Sequence, residues 1–208
     1  MIEPRDSYDR LAPEYRARVA DELRFKPLER ELLDSVAARS RGPIGDLGCG
    51  PGHVARYLAD RGGQVVGLDL SPAMIDQARR LSPDLSFLVG DLRALPFDDG
   101  SLAAAVAMYS LIHFDADELT TACREIARVL AAAGVLLAAF HRGAETVHYD
   151  KLWNIPVSLD FHFHEPEPMA ATLRSAGLTI EEIRERGPYP DVEAQTSRFY
   201  VLAVKRAS

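Results

Sequence analysis

The chain has 208 residues, 47% of them hydrophobic, and carries 24 Lys and Arg against 31 Asp and Glu for a net charge of −7. A chain of this length buries roughly 70% of the surface its unfolded form exposes, so a single domain with its own core is expected. The acidic balance excludes the electrostatic footprint of a nucleic-acid binder, the charged opening from Met1 to Arg10 is no signal peptide, and the longest apolar run, Ala131 to Phe140, is too short for a bilayer; a cytoplasmic protein is expected.

Two helical patterns open the chain, Tyr8 to Leu23 and Pro27 to Ala38, the second ending in the breaker Ser40-Arg41-Gly42-Pro43. Tyr8 and Tyr15 lie seven residues apart and so share a helix face, either as a packing stripe or as a cover over a site. Next comes a strand ending near Asp46, a turn with Gly48, Cys49, Gly50 and Gly52, a helix marked by Val54, Ala55 and Leu58, and a second apolar strand ending in Asp69 and Leu70. This is strand, glycine loop, helix, strand, acid. Glycines at alternate positions let a ligand approach the backbone, the free amides of the following helix favour an anionic group, and Asp69 is placed to bond ribose hydroxyls. Two ligand classes fit, a dinucleotide such as NAD or S-adenosylmethionine. His53 stands where the dinucleotide fingerprint wants a small residue, and Asp46, two positions before the first glycine, suits the ammonium of a bound amino acid.

Beyond Asp69 the pattern continues. A helix opens at Ser71-Pro72, and a strand Phe87-Leu88-Val89 leads into Gly90-Asp91-Leu92. Pro96-Phe97-Asp98-Asp99-Gly100-Ser101-Leu102 precedes an apolar strand from Ala103 to Tyr109 and the segment Leu111-Ile112-His113-Phe114. A helix bearing Ile126, Val129 and Leu130 is closed by Gly134 before the strand Val135 to Phe140. His141 to His164 follows as about two dozen residues rich in aromatics, and a run of that length in a compact domain is usually functional. The tail reads as a helix, Glu167 to Ser175, and two strands, Thr179 to Arg184 and Phe199 to Lys205.

The motifs Asp46-x-Gly48-x-Gly50-x-Gly52, Asp69, Gly90-Asp91-Leu92 and the Pro96 to Leu102 stretch, in this order, resemble the class I S-adenosylmethionine-dependent methyltransferases over about two-thirds of the chain. The chain departs from that pattern at Leu102-Ala103, where Phe-Asp is common, and at Ala131-Ala132-Ala133-Gly134, where Lys-Pro-Gly-Gly is common. The resemblance implies an α/β, single-domain Rossmann-like fold with a seven-stranded, mostly parallel sheet of order 3-2-1-4-5-7-6 and helices on both faces. Residues 1–40 would form an N-terminal helical lid and 141–164 a substrate-facing cap. The donor would be held by Tyr8, Tyr15, Asp46, Gly48, Cys49, Gly50, Gly52, Asp69, Leu70, Asp91 and Leu92. In the family the acid corresponding to Asp91 accepts from the adenine amino group and the next residue lies against the ring.

The implied reaction moves a methyl group from S-adenosylmethionine, leaving S-adenosylhomocysteine, to a small-molecule acceptor. No nucleic acid or membrane is involved, and the protein acts as a monomer or homodimer. Such an in-line displacement depends mainly on orientation, which contributes about 7–11 kcal/mol; a base is needed only when the nucleophile sheds a proton. His113, His141 and His162 are the candidate bases, each with an alternative as a wall or surface residue, while Trp153, Phe161 and His164 are expected to line the acceptor side. Glu193 and Arg198 read as solvated surface charges, and no spacing matches a metal site. A non-catalytic donor-binding sensor shares every donor contact, and an NAD-dependent oxidoreductase shares the loop and Asp69.

Overall fold

The computed structural model describes residues 2–206, and its central feature is a seven-stranded sheet of order β3-β2-β1-β4-β5-β9-β8. In chain order the elements are α1 (Pro4–Val19), α2 (Pro27–Arg39), β1 (Pro43–Leu47), α3 (His53–Ala59), β2 (Gln64–Asp69), α4 (Pro72–Leu81), β3 (Ser86–Val89), β4 (Leu102–Met108), α5 (Ala116–Val129), β5 (Leu130–His141), β6 (Thr146–Leu152), β7 (Ile155–His162), α6 (Pro166–Ser175), β8 (Leu178–Arg186) and β9 (Arg198–Lys205). Strands β1 to β5 pair in parallel, and β9 and β8 close the sheet antiparallel. Leaving aside β6 and β7, which form a separate two-stranded unit, this is the expected order.

Both faces of the sheet are buried, so its strands read as near-continuous apolar runs. On one face Leu102, Ala105, Ala107, Leu136 and Ala138 pack with Leu119, Cys123 and Ile126 of α5; on the other Ile44, Ala104, Val106 and Leu137 pack with Leu33 and Val36 of α2 and Leu58 of α3. Alternation along β4 and β5 therefore sends successive side chains into two different cores.

Three expectations change. The first helix is shifted toward the N-terminus, starting at Pro4 and stopping at Val19, with a 3₁₀ turn at Glu22–Phe25 where continuous helix was expected. The turn at Ala131 to Gly134 is present, but as an excursion inside β5: Leu102 pairs with Leu130 and Ala104 with Val135, and Ala133 takes the left-handed φ of 59°. Most consequential, the expected cap at 141–164 is a β-hairpin. β6 and β7 turn at Trp153 and Asn154, with φ of 49° and 65°, and the hairpin packs through Val157 and Leu159 on Leu11 of α1.

Candidate functional site

A cavity of about 280 Å³ lies at the carboxyl ends of β1 to β4 and is roofed by α1. In an open α/β sheet this is where strand order reverses, here between β1 and β4, and the connecting helices diverge to opposite faces. Its lining includes Tyr8 and Tyr15 from α1, Gly48 and Gly50 after β1, Asp69 and Leu70 at the end of β2, Asp91 and Leu92 after β3, and His113 after β4.

The glycine loop has a local cause for its shape. A Cβ on Gly48, whose φ is 77°, would sit 2.2 Å from Cβ of Ser110, so the loop closes against the end of β4 only without a side chain. Gly50, at φ 52°, has nothing nearer than the Tyr15 ring at 4.0 Å and opens onto the cavity. Gly52 caps α3 and faces Ala78 and Phe87, and the Cys49 thiol is buried, so neither of these two expected donor contacts lines the cavity. Packing of the loop on β2 and β3, through Gly52 and Cys49, accounts for both.

Asp69 ties the loop to the next helix. Its carboxylate accepts from the amide of Gly50 at 2.8 Å and that of Ser71 at 2.9 Å, and burial raises its pKa to about 6 against those donors. Two backbone donors leave lone pairs on the cavity side. Asp91 accepts from the amide of Arg93 at 2.8 Å and from its guanidinium, and the arginine holds the carboxyl below its usual range; Arg93 also pairs with Glu118. Asp46 lies behind the loop, 1% exposed, with Oδ2 lacking a partner, and burial lifts its pKa to about 7. It is not part of the cavity wall.

The roof is fixed by three consecutive residues. Ser7 Oγ accepts from the amide of Ser158 on β7 at 3.0 Å, Tyr8 Oη meets His113 Nε2 at 2.7 Å, and Asp9 accepts from the amide of Ala73 at the start of α4 at 3.0 Å. His113 Nδ1 lies 3.2 Å from the carbonyl of Asp160. A carbonyl only accepts, so Nδ1 carries the proton, Nε2 is the acceptor and Tyr8 donates to it. Burial pushes the imidazole down to about 4, so it is neutral at ordinary pH.

The remaining expected residues stand behind the wall rather than in it. His141 bonds Thr196 Oγ1 at 2.8 Å and stacks on Phe163 at 5.1 Å; burial and Arg198 lower it to about 4. His162 bonds Thr146 Oγ1 at 2.9 Å, and His164 packs on Phe140 at 5.5 Å with burial lowering it to about 4. Phe161 backs His113 at 5.0 Å, and Trp153 lies at the hairpin tip, 5.7 Å from Tyr15 and under Arg18. None of these five borders the cavity: the hairpin spends its apolar face on α1, while His141 and His164, outside the hairpin, are held by Thr196 and Phe140. Glu193 and Arg198 are corrected too: they are buried in a network with Lys26, Arg186, Glu29 and Tyr200. Tyr109 joins this network to the cavity, its hydroxyl 2.9 Å from that of Tyr200 and its backbone at φ 59°. Its place directly after β4 was the available signal, since strand ends build such sites.

This sheet order, glycine loop and strand-end acids define a Rossmann-like methyltransferase fold. Residues 44–134 match the family described as methyltransferase domain. A malonyl-[acyl-carrier protein] O-methyltransferase of Halorhodospira halophila is 38% identical over 149 residues, 69% of this chain and 46% of that protein. A demethylmenaquinone methyltransferase of Beutenbergia cavernae is 40% identical over 82 residues, 39% of this chain and 34% of that protein. The solved 1,6-didemethyltoxoflavin-N1-methyltransferase of Burkholderia thailandensis, with bound 1,6-didemethyltoxoflavin and S-adenosylhomocysteine, superposes with TM-score 0.76 at 19% identity, covering 97% of this chain and 87% of that one. The chain is thus similar to these methyltransferases over its glycine-loop half, and its fold is that of the class I S-adenosylmethionine-dependent methyltransferases. It spans a third to about a half of the length of these curated relatives.

Proposed function

We propose that the protein transfers a methyl group from S-adenosylmethionine to a small-molecule acceptor, with 1–40 acting as a lid on one methyltransferase domain. The observation that carries this reading is the convergence of Gly50, Asp69, Asp91, Leu92, Tyr8, Tyr15 and His113 on one cavity. The residues present suit the donor: Gly50 leaves open space where a Cβ would stand, Asp69 has lone pairs to spare for ribose, and Asp46 has an unpartnered buried oxygen behind the loop. Asp91 and Leu92 would face the adenine, and Tyr8, Tyr15 and Leu70 would enclose the remainder. When bound, the donor supplies a methyl carbon activated by its sulfonium.

The chain's own work is orientation and exclusion of water. Tyr8 and Tyr15 roof the cavity, and His113 presents a neutral acceptor nitrogen to the Tyr8 hydroxyl, ready for a proton shed by the acceptor. Of the three histidines considered, His113 alone is assigned this role. The relatives named for a malonyl carrier protein and for demethylmenaquinone differ in acceptor, so the donor is what they have in common. The net charge of −7 supports a free small molecule over nucleic acid as acceptor.

Calorimetric titration with S-adenosylhomocysteine, and separately with NADH, tests the reading. Low-micromolar binding of the first alone is expected. Asp69→Ala should weaken it by about 1–3 kcal/mol through lost hydrogen bonds. Binding of NADH alone would assign the glycine loop to a dinucleotide.

A further inference from the structure

The first residue of α3 is a histidine, and its ring is tied to a distant part of the chain. His53 Nε2 lies 3.1 Å from Glu22 Oε1, in the 3₁₀ turn between α1 and α2, and Glu22 Oε2 accepts from Lys26 Nζ at 2.8 Å. Lys26, 5% exposed, reaches on to Glu193 Oε2 at 3.3 Å, and Glu193 is held in turn by Arg186 and Arg198. The helix that follows the glycine loop, the turn under the roof and the loop before β9 are thereby joined in one line. Resting on the methyl-transfer reading, we propose that Glu22 and His53 are positioning residues for the amino-acid end of the donor, with Lys26 and Glu193 holding them from behind.

The line ends at the back of the glycine loop. His53 directly follows Gly52, so it and Asp46 bracket the loop in sequence. Each carries a buried atom without a partner, Nδ1 of His53 and Oδ2 of Asp46, which leaves the back of the loop polar and unsatisfied. Glu22 bears on the roof as well. Burial first, and the Glu22 charge second, push the Tyr15 hydroxyl above its usual range, and the Tyr15 ring is the nearest group to the open side of Gly50, at 4.0 Å. One carboxylate is therefore felt at both the loop and its cover.

Glu22 is kept charged where it stands. Burial would raise its carboxyl, but hydrogen bonds and charge from His53 and then Lys26 bring it down to about 2, so it is ionised at any working pH. An ionised carboxylate only accepts, so His53 Nε2 carries a proton and the ring is held by that bond. A fixed negative charge in a half-buried place attracts an ammonium more strongly than the same charge in water. The nucleoside end depends on other groups, Asp69 and Asp91, so the two ends of the donor can be separated by experiment.

The test is calorimetric titration of the full chain with S-adenosylhomocysteine and with 5′-methylthioadenosine, which keeps the nucleoside and lacks the amino acid; the second is read by displacement of the first. Glu22→Gln should weaken S-adenosylhomocysteine about tenfold and methylthioadenosine by less than about twofold. His53→Leu should give the same pattern, and the double variant should bind no more weakly than either single one, because the two residues act in one line. Should Glu22→Gln fold poorly, His53→Leu alone decides. Equal weakening of both ligands would show that the line serves only the fold, and unchanged binding of both would show that it does not reach the donor; either result overturns the assignment. Failure of the parent chain to bind S-adenosylhomocysteine would instead overturn the methyl-transfer reading beneath it.

Discussion

Asp46 and Asp69 sit in the same short stretch, yet they are placed to do different things, and their environments say which. Asp69 has two backbone donors and a cavity in front of it; Asp46 has an orphan oxygen and protein on every side. A carboxyl whose folded pKa exceeds its unfolded value stabilises the fold while protonated, fully so below the unfolded pKa of about 4, and that contribution is lost as pH rises through the folded pKa. For Asp46, raised by burial to about 7, the loss falls between about pH 4 and pH 7. Asp46→Asn should therefore raise the melting temperature relative to the parent by more at pH 8 than at pH 5. Equal shifts at both pH values would show that Asp46 is ionised at no cost. His113, His141 and His164 work in the opposite sense: their folded pKa values are lowered to about 4, so their contribution is present above about 6.5 and is lost as pH falls toward 4. Glycine loop, Asp69 and Asp91 were legible because each belongs to a local motif. Glu193 and Arg198 were not, because a charge reads as surface until its distant partners Lys26 and Arg186 are placed beside it.

At the scale of elements, α1 and the β6–β7 hairpin form one unit. Leu11, fully buried, packs on Val157 and Leu159, and the polar contacts of Ser7 run to the same strand. Leu11→Ala should cost about 2–5 kcal/mol locally by leaving a cavity. Hydrogen exchange should then quicken in both α1 and the hairpin while β1, β4 and β5 stay protected; quickening in the sheet would mean that the roof is not a separate cooperative unit. The hairpin escaped sequence reading for a physical reason. Its turn is Trp153-Asn154, both at positive φ, where Asn-Gly or Asp-Gly is the usual signal, and Pro156 interrupts the second strand. Pro4, by contrast, suits the first position of a helix, and its presence explains why α1 begins earlier than the apolar pattern shows.

Across the whole molecule, alternation of strands and helices argues for a parallel sheet with right-handed crossovers, while the order of its strands was legible only through the resemblance to the methyltransferase family. The cavity follows from that order, but its roof does not: it depends on where the hairpin parks α1. Ligand binding to the folded state alone adds about 2.7 kcal/mol at a hundredfold excess over Kd. For a chain of this size, S-adenosylhomocysteine at that concentration should raise the melting temperature by about 5–11 °C. An unchanged transition would mean that the cavity takes no such ligand.

Ser7, Tyr8 and Asp9 anchor the roof to three separate elements, and one of those anchors, His113, is also the group assigned the proton. Such an arrangement ties the cover of the cavity to the state of the imidazole beneath it. The Tyr8 hydroxyl that closes the roof is also the hydrogen-bond partner of Nε2, while the tautomer rests on the Asp160 carbonyl of β7, the strand to which Ser7 fastens the same helix. Any shift of α1 is therefore felt at both ring nitrogens, one directly through Tyr8 and the other through β7.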